Sequence, residues 1–150
     1  MALRPKYGSS EEVVRWYRGK IKRVEETQRH VVQDAMEYGA SLMREFIETR
    51  GTGRTWSRPW YGREGSYPGR VHTGNMLNAV TTRLVVDSAG RTQGHFGWLD
   101  QREDYFRYQE GGFQHKMAGH YVEGMYAMVD SAEEAFRYLQ EELDRGIRGA

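Results

Sequence analysis

Apolar residues recur every three to four positions through the first third of the chain, which is the pattern of an amphipathic helix. Ser9 and Glu12 frame a capping box (SSEE), in which the Ser9 hydroxyl accepts from the amide three residues on. We therefore predict one long helix over residues 10–49, with apolar positions close to a 3.5-residue repeat. These positions are Val14, Tyr17, Ile21, Val24, Val31, Ala35, Tyr38, Leu42 and Phe46, widened by Val13, Val32, Met36, Met43 and Ile47.

Such a helix would be roughly 60 Å long at 1.5 Å per residue, more than a domain of this size needs. Gly19 and Gly39 each cost about 1 kcal/mol relative to Ala, so a bend or a break near either is expected. The helix then either projects from the domain or is kinked onto it. A coiled-coil dimer is the simplest alternative, although Gln28 would occupy a seam position.

Residues 50–70 (RGTGRTWSRPWYGREGSYPGR) have no periodicity and contain five Gly, two Pro, two Trp and two Tyr. A loop of this length inside a domain is uncommon and is usually functional or disordered. Interleaved Arg and aromatic residues suit either stacked bases or a protein interface. We favour an interface because the chain as a whole is nearly neutral, and we predict that it includes Arg54, Trp56, Arg58, Trp60, Tyr61, Arg63 and Arg70.

Strand patterns follow. Thr73 is predicted to cap a short helix that contains Met76 and Leu77. Residues 80–87 alternate as a strand, and residues 88–90 form a turn. A second strand over residues 92–99 has Phe96 and Trp98 on its apolar face, with glycines at 94 and 97 that allow a bulge or a close approach. A third strand is predicted over residues 105–109, and residues 113–128 hold a further strand or an extended loop.

Asp130 or Ser131 is predicted to cap a last helix that stops at Gly146. The fold class is therefore α+β: a long N-terminal helix, a short helix, a small antiparallel sheet and a C-terminal helix. Residues 1–150 form a single domain, with an N-terminal arm at 1–8 and the long loop at 50–70. The apolar face of the last helix is predicted to comprise Ala132, Ala135, Phe136, Leu139 and Leu143.

The composition is 38% hydrophobic and 29% charged, with a mean hydropathy of −0.84. Its 13% of aromatic residues argues against disorder and fits a protein that buries surface against neighbouring subunits. The absence of cysteine excludes disulfides and thiolate zinc sites. The first residues lack the apolar region of a signal peptide, and no apolar run reaches membrane-spanning length, so we expect a soluble protein made in a cytoplasm without membrane partners.

The net charge is +1, but charge is distributed unevenly. Residues 50–70 carry five Arg against one acid, whereas residues 100–150 carry eleven acids against six bases. Basic and acidic surfaces on opposite sides of a subunit would favour head-to-tail contacts in a ring. The simpler interpretation is that these charges are individually solvated.

No catalytic constellation is found. The five histidines make no HExxH pattern, and the best metal candidate is the weak set His115, His120 and Glu123. Paired acids lie beside bases in predicted helices and read as solvated faces. The glycine-rich stretches lack the strand before and the Lys-Ser/Thr after that a phosphate loop requires. We therefore predict no catalytic residues, no cofactor and no metal, and a protein that is not an enzyme.

Two motifs resemble the tail-completion or neck (head–tail connector) proteins of long-tailed bacteriophages, including the lambda-type tail-completion protein. The first is GRVHTGNMLNAV (residues 69–80), in which Thr73, Gly74 and Asn78 match the family's threonine-glycine and short-helix pattern. The second is YFRYQEGGF (residues 105–113), which is similar to the family's tyrosine, tyrosine, glutamate, glycine signature. It places Tyr105, Tyr108, Glu110 and Gly112 at matching spacing, with Phe113 where threonine is usual.

This resemblance implies a structural virion protein that forms a homo-oligomeric ring, a hexamer or dodecamer, at the head–tail junction. Its partners would be the connector or stopper, the tail terminator and the tail tube, and DNA would cross the channel without sequence-specific binding. We hypothesise that Glu110 and Gly112 form a strand-end turn with a close backbone approach, that Glu110 and Phe113 belong to an interface, and that Trp56, Arg58, Trp60 and Tyr61 anchor subunits. Alternatives are a tail terminator that caps the tube, a nucleic-acid-binding module or a small enzyme.

Overall fold

The computed structural model describes residues 9–50, 56–57, 66–67, 74–100, 104–115 and 120–149. The predicted α+β architecture is confirmed, and its strands pair as three antiparallel hairpins, β1–β2, β3–β4 and β5–β6. The predicted arm at residues 1–8 lies outside the described residues. In chain order the elements are α1 Ser10–Thr49, β1 Trp56–Ser57, β2 Ser66–Tyr67, α2 Asn75–Asn78, β3 Thr81–Val86, β4 Thr92–Gly97, α3 Asp104–Gly111, β5 Phe113–His115, β6 His120–Val122 and α4 Ala127–Gly149.

Helix α1 runs without interruption through Gly19 and Gly39, so neither glycine breaks it. The predicted cap is present, since the Ser9 hydroxyl accepts from the Glu12 amide at 3.4 Å. Only residues in the C-terminal half of the helix are buried, and Met43 and Ile47, which widen the predicted stripe, are fully buried. The buried residues of α1 are Ala35, Met36, Gly39, Ala40, Met43 and Ile47.

The β3–β4 hairpin packs on α1 where its glycines permit it. A Cβ at Gly94 would lie 3.0 Å from Val32 Cγ1, so the predicted close approach is confirmed. The turn at residues 88–90 is held by Asp87, whose carboxylate accepts from the Arg91 amide at 2.8 Å and from the Ala89 amide at 2.9 Å. These amides, the Arg91 amide foremost, lower the pKa of Asp87. The β3–β4 hairpin is thus closed by hydrogen bonds between Asp87 and residues within four positions of it in the chain.

The core lies between the buried half of α1, α2, the β3–β4 hairpin, α3 and the start of α4. Trp98 connects two of these parts, because its indole N–H donates to the Met76 carbonyl at 2.9 Å and its ring lies 5.0 Å from that of Phe106. Satisfying the buried indole lets the large ring contribute its full apolar area. Phe106 itself is 2% exposed.

The predicted third strand, residues 105–109, is wrong: these residues belong to α3. The reason is the spacing of the buried residues, since Phe106 and Glu110 lie four apart on one helical face while Tyr105 and Tyr108 are exposed. The predicted Thr73 cap lies outside the described residues. The N-cap position of α2 is occupied by Gly74, which has φ of +88° and makes no side-chain cap bond.

The predicted apolar face of the last helix is also wrong in part. Ala135 is buried, but Ala132 is exposed and Phe136 is 59% exposed. The inward face instead carries the small residues Ala127, Ser131 and Ala135, because α4 lies close to α1 at Gly39. Gly146, predicted as a stop, lies within α4, where a Cβ would be 2.6 Å from Thr27 Cγ2.

We expect Gly39→Ala to lower the free energy of unfolding by a net amount of about 1–2 kcal/mol. The added Cβ would lie 2.5 Å from the Phe96 ring and 2.9 Å from Ala135 Cβ, so the helices must separate. Gly19→Ala is the matched control, since no atom lies within 4 Å of its Cβ and the gain in helix propensity should stabilise by about 0.5–1 kcal/mol. Urea unfolding of both variants checks the prediction, which fails if the two substitutions change stability in the same direction.

Residues 50–70 include one short ladder that the sequence pattern did not predict. Trp56 pairs with Tyr67 and Ser57 with Ser66 in antiparallel register. Two-residue strands are too short to show an alternating pattern, which explains why this segment reads as a loop.

Candidate functional site: predicted interface residues and the α3–α4 junction

The predicted interface residues divide into two groups. Trp56 lies in β1, whereas the other members from residues 50–70, and Thr73, lie outside the described residues: Arg54, Arg58, Trp60, Tyr61, Arg63 and Arg70. The role of the Arg and aromatic cluster as a subunit anchor therefore stays a prediction.

Glu110 lies inside the domain and not on its surface. It is 8% exposed, in the last turn of α3, and its carboxylate points to the start of α4. Oε1 accepts from the Met128 amide at 2.8 Å and from the Val129 amide at 3.2 Å. The first amides of a helix have no partner within the helix, so Glu110 caps α4 from another element. This is why α4 begins at Ala127 and not at the predicted caps Asp130 or Ser131.

Burial and hydrogen bonding have opposite effects on the pKa of the capping Glu110 carboxyl. Burial raises the pKa of the Glu110 carboxyl above its ordinary value of 4.5, and nearby Asp130 adds to the rise. The hydrogen bonds that the Val129 and Met128 amides donate lower the pKa of this carboxyl. Within the described part of the chain, Oε2 is buried without a hydrogen-bond partner. The positive end of the α4 dipole favours the ionised form at this position.

Arg50, at the end of α1, also contacts the start of α4. Its guanidinium donates to the Met125 carbonyl at 2.8 Å and to Asp130 Oδ2 at 2.5 Å, and it lies over the Phe46 ring at 3.8 Å. The side chain thus ties the end of α1 to the first turn of α4. Because the ion pair is half-exposed, its positional effect matters more than its Coulomb energy.

The backbone between β6 and α4 is pressed directly onto the end of α3. Met125 donates to the Gln109 carbonyl at 2.9 Å and Tyr126 to the Glu110 carbonyl at 3.1 Å. A Cβ at Gly124 would lie 2.3 Å from the Glu110 carbonyl oxygen, so only glycine fits. Tyr126 has φ of +50°, an unfavourable value for a residue with a side chain, which these contacts stabilise.

We call this arrangement the α3–α4 junction: Glu110, Gly112, Gly124, Tyr126 and Arg50. The hypothesis of a strand-end turn is wrong in that Glu110 lies in the last turn of helix α3, which Gly112 follows with φ of +87°. The close backbone approach that was expected does exist, and Gly124 makes it. Sequence reasoning did not assign roles to Arg50 and Gly124; a glycine three residues before a buried helix start was the available signal.

The remaining motif residues lie at or near the surface. Tyr105 and Tyr108 are exposed on α3, and Phe113 in β5 is half-buried with its ring 6.3 Å from that of Tyr108. Asn78 is exposed at the end of α2. A Cβ placed on Gly74 would lie 3.4 Å from the Asn78 amide nitrogen. These positions leave the aromatic residues accessible to a partner.

A second surface feature is the N-terminal part of α1. We call residues 10–24 the projecting segment, because α4 lies close to α1 where Gly146 faces Thr27 and ends three residues later, at Gly149. Tyr17 and Ile21 are both 57% exposed, and Val14 and Trp16 are also exposed. Contiguous exposed apolar surface of this kind typically marks an interaction site.

The weak metal set is only partly described. His115 and His120 are cross-strand partners in the β5–β6 hairpin. Among the described residues, no group of three His, Asp or Glu side chains is placed to hold a metal ion.

In the described ranges, none of the helices combines the length and the apolarity needed to cross a membrane. Comparison of the chain with protein-family models, with curated proteins and with solved structures finds no match.

Proposed function

We propose that the protein is a structural subunit of the ring at the head–tail junction of a long-tailed phage, where it joins the portal-side connector to the tail tube around the DNA channel. The proposal starts from the resemblance of residues 69–80 and 105–113 to tail-completion proteins. The family's layout of a long N-terminal helix, a sheet and a closing helix agrees with the elements of the fold.

The observation that carries the proposal is the apolar surface left uncovered on the helices. Besides the projecting segment, α4 exposes Phe136, Val129 and Ile147. A monomer gains nothing from presenting large apolar side chains on two helices, whereas a subunit covers them when it assembles. This surface favours assembly over catalysis as the role of the domain.

The α3–α4 junction suits such a role mechanically. It fixes the start of α4 against α3 through the Glu110 cap and against α1 through Arg50. Interfaces made by rigid elements lose less entropy on association than interfaces made by mobile loops. The YFRYQEGGF motif thereby contributes a locked helix start to the subunit.

We expect the purified protein to form closed rings of six or twelve copies, visible by negative-stain microscopy and matched by native mass measurement. In a phage that encodes this chain, deleting it should leave filled heads and separate tails. A protein that stays monomeric, or that shifts to a complex only when DNA is added, would contradict the proposal. Steep loss of that DNA complex with added salt would favour the nucleic-acid-binding alternative.

A further inference from the structure

The projecting segment continues the apolar face by which α1 packs on the rest of the domain. Tyr17 and Ile21 recur at the same three- to four-residue spacing as Val32 and Met36, so they lie on one side of the helix. Past Thr27 the helix continues to Ser10, roughly 25 Å further at 1.5 Å per residue. The face is therefore built for packing over a length that α4 does not cover.

A groove of complementary character lies elsewhere on the same domain. A cavity of about 230 Å³ opens between α1, β4 and α4. Small residues make the depression, among them Ala35, Gly94 and Ala135, while Phe96 and Phe136 provide large apolar surface. Phe136 is 59% exposed at this groove, although an aromatic side chain gains most when it is buried.

We propose that the projecting segment of one copy docks in this groove of a second copy, with Tyr17 and Ile21 packed against Phe136. The contact rests on the ring assembly proposed above and names the two surfaces that would form it. Since the segment and the groove are different surfaces, each copy gives one and receives one. Such a heterologous contact builds a ring when its rotation closes.

Charge favours docking of the projecting segment in the groove of a second copy over pairing of two projecting segments. The projecting segment, residues 10–24, carries five bases against two acids, Glu11 and Glu12; the bases are Arg15, Arg18, Lys20, Lys22 and Arg23. Two such segments side by side would repel each other, which disfavours a coiled-coil pair. Helix α4 carries six acids against three Arg, and Glu133 lies exposed one turn before Phe136. The basic segment and the acidic helix are therefore complementary.

Disulfide trapping tests this contact directly, because the 150 residues of this chain include no cysteine. Tyr17→Cys protein is mixed with Phe136→Cys protein and oxidised; both positions are exposed, so neither change should unfold the domain. We expect a covalent dimer that contains one copy of each variant. Arg23→Cys is the matched control for the first partner, since Arg23 is exposed and lies about 120° around the same helix from Tyr17, so it should not cross-link to Phe136→Cys.

Each alternative gives a different result. A predominance of Tyr17→Cys pairs would show helix-to-helix dimers and overturn the docking. Normal rings without the Tyr17–Phe136 cross-link would overturn the docking and leave the ring standing, whereas a strict monomer would overturn both. A trapped contact in a phage whose heads and tails join without this protein would overturn only the proposed function.

A charge reversal supplies a second measurement. Arg18→Glu combined with Lys22→Glu should weaken self-association at least tenfold, as read by sedimentation over a range of protein concentrations. Both side chains are exposed, and the change costs little at the exposed Lys22–Glu26 pair, so helix content should change little. Self-association of unchanged strength would overturn the charge basis of the proposal.

Discussion

Gly124→Ala is expected to lower the free energy of unfolding by about 3 kcal/mol or more. The new Cβ would lie 2.3 Å from the Glu110 carbonyl oxygen, 2.7 Å from the Gly111 carbonyl carbon and 2.8 Å from the Gly112 amide nitrogen. All three are backbone atoms, so no side-chain rotation relieves the clash. The segment before α4 must move away from α3, which also breaks the two backbone hydrogen bonds between them.

The matched control for this substitution is Gly111→Ala at the end of α3. No heavy atom lies within 4 Å of a Cβ at Gly111, so the change should be neutral or stabilise by up to about 1 kcal/mol. Urea unfolding followed by circular dichroism compares the two variants. Equal losses of stability would show that α3 and the segment before α4 do not touch as described.

Glu110→Ala should have the second-largest effect and lower the free energy of unfolding by about 2–4 kcal/mol. The change leaves the Met128 and Val129 amides without an acceptor at a buried helix start and removes packed side-chain atoms. Glu110→Gln keeps an oxygen at the acceptor position and should cost about 1 kcal/mol or less near neutral pH. Ser9→Ala removes a cap at an exposed helix start and gives a control with a loss of about 1 kcal/mol.

The difference in free energy of unfolding between the native protein and Glu110→Gln should depend on pH in a defined direction. Because burial raises the folded-state pKa of Glu110 above its ordinary value of 4.5, folding takes up a proton between the two values. The stability that this proton contributes is fully present below the unfolded pKa and is lost as pH rises through the folded pKa. Relative to the glutamine variant, the native protein should therefore lose stability as pH rises from about 4.5.

Urea midpoints of both proteins, measured in steps between pH 4 and pH 8, check this dependence. Glutamine does not titrate, so subtracting its curve removes the contributions of all other groups. A native protein that instead gains stability over the glutamine variant with rising pH would show that the amide bonds outweigh burial.

Local signals determined the parts of the fold that the sequence predicted well. Helix α1 begins and ends where the capping box and the periodicity place it, because Ser9 and Glu12 are neighbours in the chain. The β3–β4 turn follows from Asp87, whose carboxylate accepts from the amides two and four residues further on. Patterns with short sequence separation can be read without knowledge of the fold.

The start of α4 and the identity of α3 could not be read in this way. The cap of α4 lies eighteen residues upstream in Glu110, and Arg50 contacts Asp130 across eighty residues. The motif YFRYQEGGF identified the right residues, but alternation in a short aromatic run resembles a strand when the partner surface is unknown. The outward position of Phe136 was equally hidden, since it depends on how closely Gly39 lets α4 approach.

The pairing of the first helix with the last has a consequence for synthesis on the ribosome. The buried stripe of α1 is made early, whereas its partner around Asp130 follows Arg50 by eighty residues. At about 5–20 residues per second, the stripe waits on the order of 4–16 s before α4 exists to cover it. During this interval neighbouring nascent chains would expose the same apolar helix. Repulsion between the five bases of each projecting segment would keep these chains apart until each has made α4, the acidic helix.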